Sequence, residues 1–264
     1  MLILGIESAT PVASVALVDE KGLLGSALLN VGLTHSQQLL PLLDSLFVQC
    51  RREKEEVTLV AVSAGPGSFT GLRIGMATAK GLAQGWAVDL VTVSTLESMT
   101  WPLQGQPALV SPMLNARRHQ VYTALYQWRP AAESDDYSVS GEEAVAGAFG
   151  GVAAPREKKE RPVIGDAGMR WHLHGLLPPQ AVSPEMWAQK LREACGDQRV
   201  FLLGDGANEL EEIWQGCLGE NMCMLPPILG VARAEYVALA AMRKRNEGKG
   251  EAFYGAVPLY LRGI

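Results

Sequence analysis

The 264-residue chain sets 23 lysines and arginines against 28 aspartates and glutamates, a formal net charge of −5. That balance argues against a protein that grips nucleic acid alone through a basic face. Hydrophobic residues at 48% against 19% charged exclude intrinsic disorder and supply apolar mass for one large domain or two small ones.

The amino-terminal MLILGIESATPVASVALVD carries no basic leader and alternates as strands do, so no signal peptide is expected there. Residues 2–6, 12–18 and 23–29 read as three strands joined by tight turns, broken at Ser8-Ala9-Thr10-Pro11 and at Asp19-Glu20-Lys21-Gly22. Thr34, His35 and Ser36 offer caps for a helix whose apolar positions are Leu39, Leu42, Leu43, Leu46 and Phe47. Pro41 is expected to bend that helix or shift its start. The charged 51–56 segment is a solvated connector. A buried strand at 58–63 leads into SAGPGSFTGLR (Ser63 to Arg73) and a helix over 70–86. A strand at 89–93 and a short helix capped by Ser94 or Thr95 follow.

The alternation of strands and helices is an α/β arrangement, divided into lobes at 1–105 and 106–264. In the second lobe, 108–113, 120–127, 163–165 and 200–204 read as strands, with helical stretches between and after. Residues 129–161 are an Ala-, Gly-, Pro- and charge-rich flexible insertion around one helix at 141–149. Residues 230–245 form a long helix; extended to 230–247, its alternative placement is back on the first lobe. Cys50, Cys195, Cys217 and Cys223 show no CxxC pair or metal framework and read as reduced thiols of a cytoplasmic protein. No apolar run is long enough to span a bilayer.

The glycine loop fails as a phosphate-binding P-loop. Thr70 stands where a glycine is required, no Gly-Lys-Ser/Thr follows, and Lys80 lies too far along the helix. It misses the dinucleotide fingerprint GxGxxG at the same residue. A strand, a glycine turn and a helix start still form an anion cradle from backbone N–H groups, so phosphate contact and a purely structural turn both stand. Beyond the loop, Gly71, Gly75, Ala79 and Ala83 make a four-residue ridge nearly free of side chains. Each interior glycine costs about 1 kcal/mol of helix stability relative to alanine. Something therefore packs closely there, either a neighbouring element of the same fold or another chain.

SAGPGSFTGLRIGMATAKGLA, with LGIESATPVASVAL, THSQQLLPLLDSL, NARRHQVYTALY and the terminal PLYLR, closely resembles the bacterial TsaB family, also called YeaZ. The 129–161 region has no counterpart in the resemblance. The resemblance implies a two-lobed actin/sugar-kinase/Hsp70-like fold, each lobe a five-stranded mixed sheet with flanking helices. It implies a role in synthesis of N6-threonylcarbamoyladenosine at adenosine 37 of tRNA. Such a protein is not the transferase. It partners a paralogue, TsaD, which holds the metal; the ATPase TsaE joins the pair, tRNA is met only through the complex, and the lone chain forms homodimers. Partner contact through helices 36–49 and 70–85 would involve Leu39, Leu42, Leu43, Leu46, Gly71, Leu72, Gly75, Met76, Ala79 and Ala83.

The paralogue carries two histidines four apart on a helix, a metal-ligand spacing. Here His35 is followed at that interval by Leu39, so His35 is expected to cap or pack, and no catalytic residue or required cofactor is assigned. His172 and His174 would lie on different faces of a helix and read as surface residues, and His119 sits in a solvated turn after Arg117-Arg118. No GxSxG elbow or HExxH helix supports a protease. Vestigial, weak ATP or ADP binding is the remaining small-molecule reading, at Glu7, Ser8, Gly65, Gly67, Ser68, Gly204, Asp205 and Gly206. The competing function is an independent ATP-binding or ATP-hydrolysing enzyme of the same superfamily, against which the central loop offers no carboxylate to orient magnesium or water.

Overall fold

A computed structural model describes residues 1–31, 35–130, 171–247 and 255–261. Thr34, residues 131–161 of the expected insertion with its 141–149 helix, and the 163–165 strand lie outside the described residues. In chain order the main elements are β1 (Leu2–Glu7), β2 (Ala13–Asp19), β3 (Gly22–Leu29), α1 (His35–Cys50), β4 (Leu59–Gly65), α2 (Phe69–Trp86), β5 (Asp89–Ser94) and α3 (Thr95–Met99). They continue with β6 (Ala108–Asn115), β7 (Val121–Pro130), β8 (Trp171–Val182), α4 (Pro184–Cys195), β9 (Val200–Leu203), α5 (Asp205–Asn208), α6 (Glu211–Leu218), β10 (Met222–Met224) and α7 (Ala234–Asn246).

The strands form two five-stranded mixed sheets, ordered β3-β2-β1-β4-β5 and β10-β9-β6-β7-β8. Counted from each sheet's own first strand, the two orders are the same. In each, the first three strands are antiparallel neighbours, and the fourth and fifth run parallel to the first. Two five-stranded mixed sheets with flanking helices are what the resemblance implies. Both faces of the first sheet are covered, which is why β1 and β4 are apolar along their length rather than alternating. Leu4, Ile6, Val60 and Val62 meet Leu39, Leu43, Met76 and Ala79 of α1 and α2 on one face. On the other face, Ile3, Leu59, Ala61 and Val93 join Val237, Ala241 and the inner residues Val110 and Trp128 of the second sheet in one continuous core. Trp187, Leu191 and Trp214 cover the outer face of the second sheet.

Helix α7 belongs in sequence to the second half yet lies across β1, β2, β4 and β5 of the first sheet. Gly5 makes this approach possible, because any Cβ there would run into the Ala234 carbonyl oxygen. Glu97 then receives Arg243 Nη2 at 2.5 Å and Lys244 Nζ at 3.6 Å, tying the helix to α3. The flanking cations hold the Glu97 carboxyl below its ordinary pKa despite its burial.

Two expectations need correction. Residues 171–182 form a 12-residue strand, not a helical stretch. Gly175, Pro178 and Pro179 argue against an interior strand, but β8 is an edge strand, where a missing N–H can face outward, and its register slips beside them. The long carboxy-terminal helix begins at Ala234, after a 3-10 turn at Pro227–Gly230. Helix α1 runs through Pro41 without a break, with that proline exposed.

Candidate functional site

Strand β1 delivers Glu7 to the carboxyl end of the first sheet, and Ser8, Ala9 and Thr10 then turn across the start of α2. This turn is what the small-residue ridge accommodates. A Cβ at Gly67 would strike the Ala9 carbonyl oxygen, one at Gly71 the Ser8 carbonyl oxygen, and one at Gly75 the Ser8 Oγ. Ser8 Oγ donates to the Gly71 carbonyl at 3.0 Å. Gly71, Leu72, Gly75, Met76, Ala79 and Ala83 are all buried within the lobe, as are Leu39, Leu43 and Leu46 of α1; Leu42 is half-buried. Of the side chains expected to meet a partner, all but Leu42 are thus enclosed within this chain. They build the lobe's own core, because the turn after β1 and the α1–α2 contact fill that face.

The loop's polar backbone is likewise engaged from within. Ser68 N–H donates to Ala9 C=O at 2.6 Å, Gly71 N–H to Ser68 Oγ at 3.3 Å, and Leu72 N–H to Ser68 C=O at 2.9 Å. From the far end of the chain, Leu259 N–H donates to Ala64 C=O at 2.6 Å. A Cβ at Gly65 would sit 2.7 Å from the Leu259 carbonyl oxygen. The glycines of SAGPGSFTGLR thus admit two crossing segments, the β1 turn and the carboxy-terminal segment.

Glu7 and Ser8 are 0% exposed. Glu7 Oε1 accepts from Ala9 N–H at 2.6 Å, whereas its buried Oε2 has no partner among the described residues. Burial pushes the Glu7 carboxyl from 4.5 to about 7, against the lowering effect of hydrogen bonds from Ala9, Ser63 and Ser8. Gly204, Asp205 and Gly206 lie in the other half. A Cβ at Gly204 would strike the Met113 carbonyl oxygen, and one at Gly206 would lie 3.0 Å from the Leu114 carbonyl carbon. Asp205 is exposed as a residue, but its Oδ1 accepts from Asn115 N–H at 3.0 Å and Gly206 N–H at 2.9 Å, and the local desolvation of its carboxyl raises its pKa. The two groups of expected nucleotide-contacting residues are each knitted to the end of their own sheet's first strand.

His35 packs at the start of α1, its Nε2 donating to Thr10 C=O at 2.8 Å; its buried Nδ1 has no partner among the described residues. Leu39, one turn on, is 2% exposed. His172 and His174 share one face of β8, with ring centroids 6.5 Å apart, which corrects the helical reading of that pair. His119 lies 2.7 Å from Glu185 in the first turn of α4, at the end of three consecutive left-handed residues, Arg117, Arg118 and His119. Among the described residues no group of three or more His, Cys, Asp or Glu is placed to hold a metal ion. No helix there is long and apolar enough to cross a membrane.

One cluster escaped the sequence reading. Phe69 and Arg73, a turn apart on α2, meet Tyr260: the Arg73 guanidinium carbon lies 3.7 Å from the Phe69 ring centroid, and Nε donates to Tyr260 Oη at 3.2 Å. The four-residue spacing of Phe69 and Arg73 was visible, but the third member stands 187 residues away.

A family model described as TsaD, tRNA N6-adenosine threonylcarbamoyltransferase, matches residues 30–144. The tRNA threonylcarbamoyladenosine biosynthesis protein TsaB of Bacillus subtilis (strain 168) is 34% identical over 129 residues, 49% of this chain and 56% of that protein. Its namesake in Escherichia coli (strain K12) is 35% identical over 130 residues, 48% and 55% of the two chains. Over about half its length the chain is similar to the TsaB family. The alignments take in about half the length of these TsaB relatives. The fold likeness is end to end: YeaZ from Pseudomonas aeruginosa superposes with a TM-score of 0.67 at 21% identity, covering 98% of this chain and 99% of that one. A second Pseudomonas aeruginosa structure, described as similar to peptidase YEAZ, gives 0.70 at 22%, covering 99% of both.

Proposed function

We propose that this chain acts as a TsaB-type protein, the non-catalytic partner of a TsaD-type transferase in N6-threonylcarbamoyladenosine synthesis, with a TsaE-type ATPase joining the pair and tRNA met only through the assembly. One observation carries the reading. The transferase family model begins just before α1, yet on that helix the two-histidine spacing implied for the paralogue is broken: His35 is turned onto Thr10, and a core leucine, Leu39, follows it. The chain keeps the scaffold of the transferase without its pair of metal ligands.

The partner surface in this reading is the outward side of α1 and α2, opposite the buried ridge. Leu40 and Val48 are 50% and 78% exposed on α1, with Asp44 between them. Ala77, Gly81 and Gly85 are exposed on α2. A Cβ at Gly81 or Gly85 would meet nothing within 4 Å, so nothing among the described residues requires a glycine at either place. The mid-helix Gly81, at about 1 kcal/mol, is accounted for by the close approach of a second backbone; Gly85 lies in the last turn.

Coexpression with the TsaD-type protein of the same genome tests this directly. The two are expected to copurify, and threonylcarbamoyladenosine formation from threonylcarbamoyl-AMP is expected to require both. A transferase that works fully without this chain overturns the reading. Heat released on mixing the isolated chain with magnesium ATP, followed by turnover, would favour an independent ATP-hydrolysing enzyme, which would have to open the sealed surroundings of Glu7.

A further inference from the structure

We propose that Phe69, Arg73 and Tyr260 form a preset seat for a carboxylate side chain of the transferase partner, so that the carboxy-terminal segment completes the partner surface together with the helices. The proposal rests on the reading above that the outer side of α2 faces that partner. Phe69, Arg73, Ala77 and Gly81 follow at four-residue steps, and all are exposed, so they run as one stripe along α2. The stripe is bare at Ala77 and Gly81 and ends in the three-residue cluster.

The cluster is ordered before any ligand arrives. The Arg73 guanidinium sits over Phe69, its central carbon 3.7 Å from the ring centroid. Its Nε is bonded to Tyr260 Oη at 3.2 Å. The Tyr260 ring stands 5.1 Å from Phe69 at an interplanar angle of 37°. Tyr260 itself is fixed because its neighbour Leu259 is bonded to Ala64 and Ala256 is fully buried. Stacking and the Nε bond restrain the plane of the fork and leave the two Nη groups for an acceptor. Arg52, Arg233, Arg243 and Arg245 all pair with carboxylates of this chain, whereas among the described residues Arg73 has no such partner.

A planar, stacked guanidinium with its Nη edge available suits a carboxylate in bidentate geometry. Preordering lowers the entropy lost when the contact forms. Tyr, Phe and Arg are also the residues enriched at the energetic centres of protein interfaces. A stacking platform for RNA has similar parts, but here one cation stands at the end of a bare helical stripe on a protein of net charge −5. A protein carboxylate is therefore the better match.

Calorimetric titration of the TsaD-type protein of the same genome into the full chain tests the seat, with thermal melting of each variant as the folding check. Arg73→Ala is expected to weaken binding ~10–100-fold without lowering the melting temperature. Arg73→Lys should regain only part of this, because lysine has no fork, and Tyr260→Phe should lose a few-fold. Raising salt should weaken the unmodified chain more than Arg73→Ala. Gly81→Arg serves as the reference for the α2 face. If Gly81→Arg blocks binding and Arg73→Ala does not, the seat is overturned while the proposed function stands; if neither matters, both fall. Loss of tRNA retention with unchanged partner affinity in Arg73→Ala would overturn the seat in favour of RNA. A homodimer broken by Arg73→Glu and restored by Asp44→Arg would assign it to a second copy instead.

Discussion

The two sheets share one strand order, yet the carboxyl ends of their parallel strands are finished in opposite ways. In the first sheet, Glu7 and Ser8 at the end of β1 are sealed under the glycine loop, and the 256–260 segment lies over the loop from outside. In the second, Asn115 at the end of β6 and Arg117, Arg118, Asp205 and Glu209 beside it are exposed. Asn115 Nδ2 donates to Glu209, and its Oδ1 accepts from Arg117 N–H at 2.7 Å. Repeating a topology thus repeats where glycines are needed, at Gly67 and Gly71 in one half and Gly204 and Gly206 in the other, without repeating what the edge does. A glycine turn at a strand end is a packing requirement first.

The largest expected effect comes from forcing the sealed edge open. Gly75→Leu drives a branched side chain against the buried side chains of Ser8 and Val62, and overpacking there is expected to cost about 3 kcal/mol. Urea unfolding should show this in the isolated chain, with no partner present. Such a variant therefore reports on the lobe and cannot report on an interface. Retained stability would mean that the ridge has room to spare and that the contrast between the edges is overdrawn.

Glu7 tests the same edge through pH. Its folded pKa of about 7 lies above the ordinary 4.5, so the folded state holds the proton more tightly than the unfolded state does. The resulting stability is fully present below about pH 4.5 and is lost as pH rises through about 7. With about 1.4 kcal/mol for each unit of separation, the total is about 3 kcal/mol. Glu7→Gln should flatten this dependence and leave the variant more stable than the parent at pH 8, as read from urea midpoints across pH. An unchanged slope would show that water reaches the carboxylate. On the open edge, Asp205→Ala removes the acceptor of two backbone N–H groups and should cost about 1–2 kcal/mol in the same measurement. A cost as large as that of Gly75→Leu would make the two edges energetically alike.

Much of the first lobe was legible because burial on both faces writes continuous apolar strands, and a strand–glycine–helix passage leaves few backbone paths. The spacing of Gly71, Gly75, Ala79 and Ala83 announced a close contact but could not say with what, since Ser8 and Ala9 are remote in sequence. Edge strand β8 was illegible because Gly175, Pro178 and Pro179 are unfavourable in a central strand and tolerated at an edge. The seat at Tyr260 was hidden for a related reason: its parts come together only after α7 has crossed the first sheet and the chain end has reached the glycine loop.

The smallest expected effect separates the two kinds of glycine within α2 itself. Gly81 has open space where a Cβ would be, whereas Gly71 and Gly75 do not. Gly81→Ala should therefore stabilise the isolated chain by up to about 1 kcal/mol, the ordinary helix-propensity gain. The same methyl group should weaken binding to the TsaD-type protein if a second backbone lies against that stripe. Opposite signs for stability alone and for association would locate the close approach on the outer face. A gain in both would remove the reason for a glycine there and send the search for the partner surface back to Leu40 and Val48 on α1.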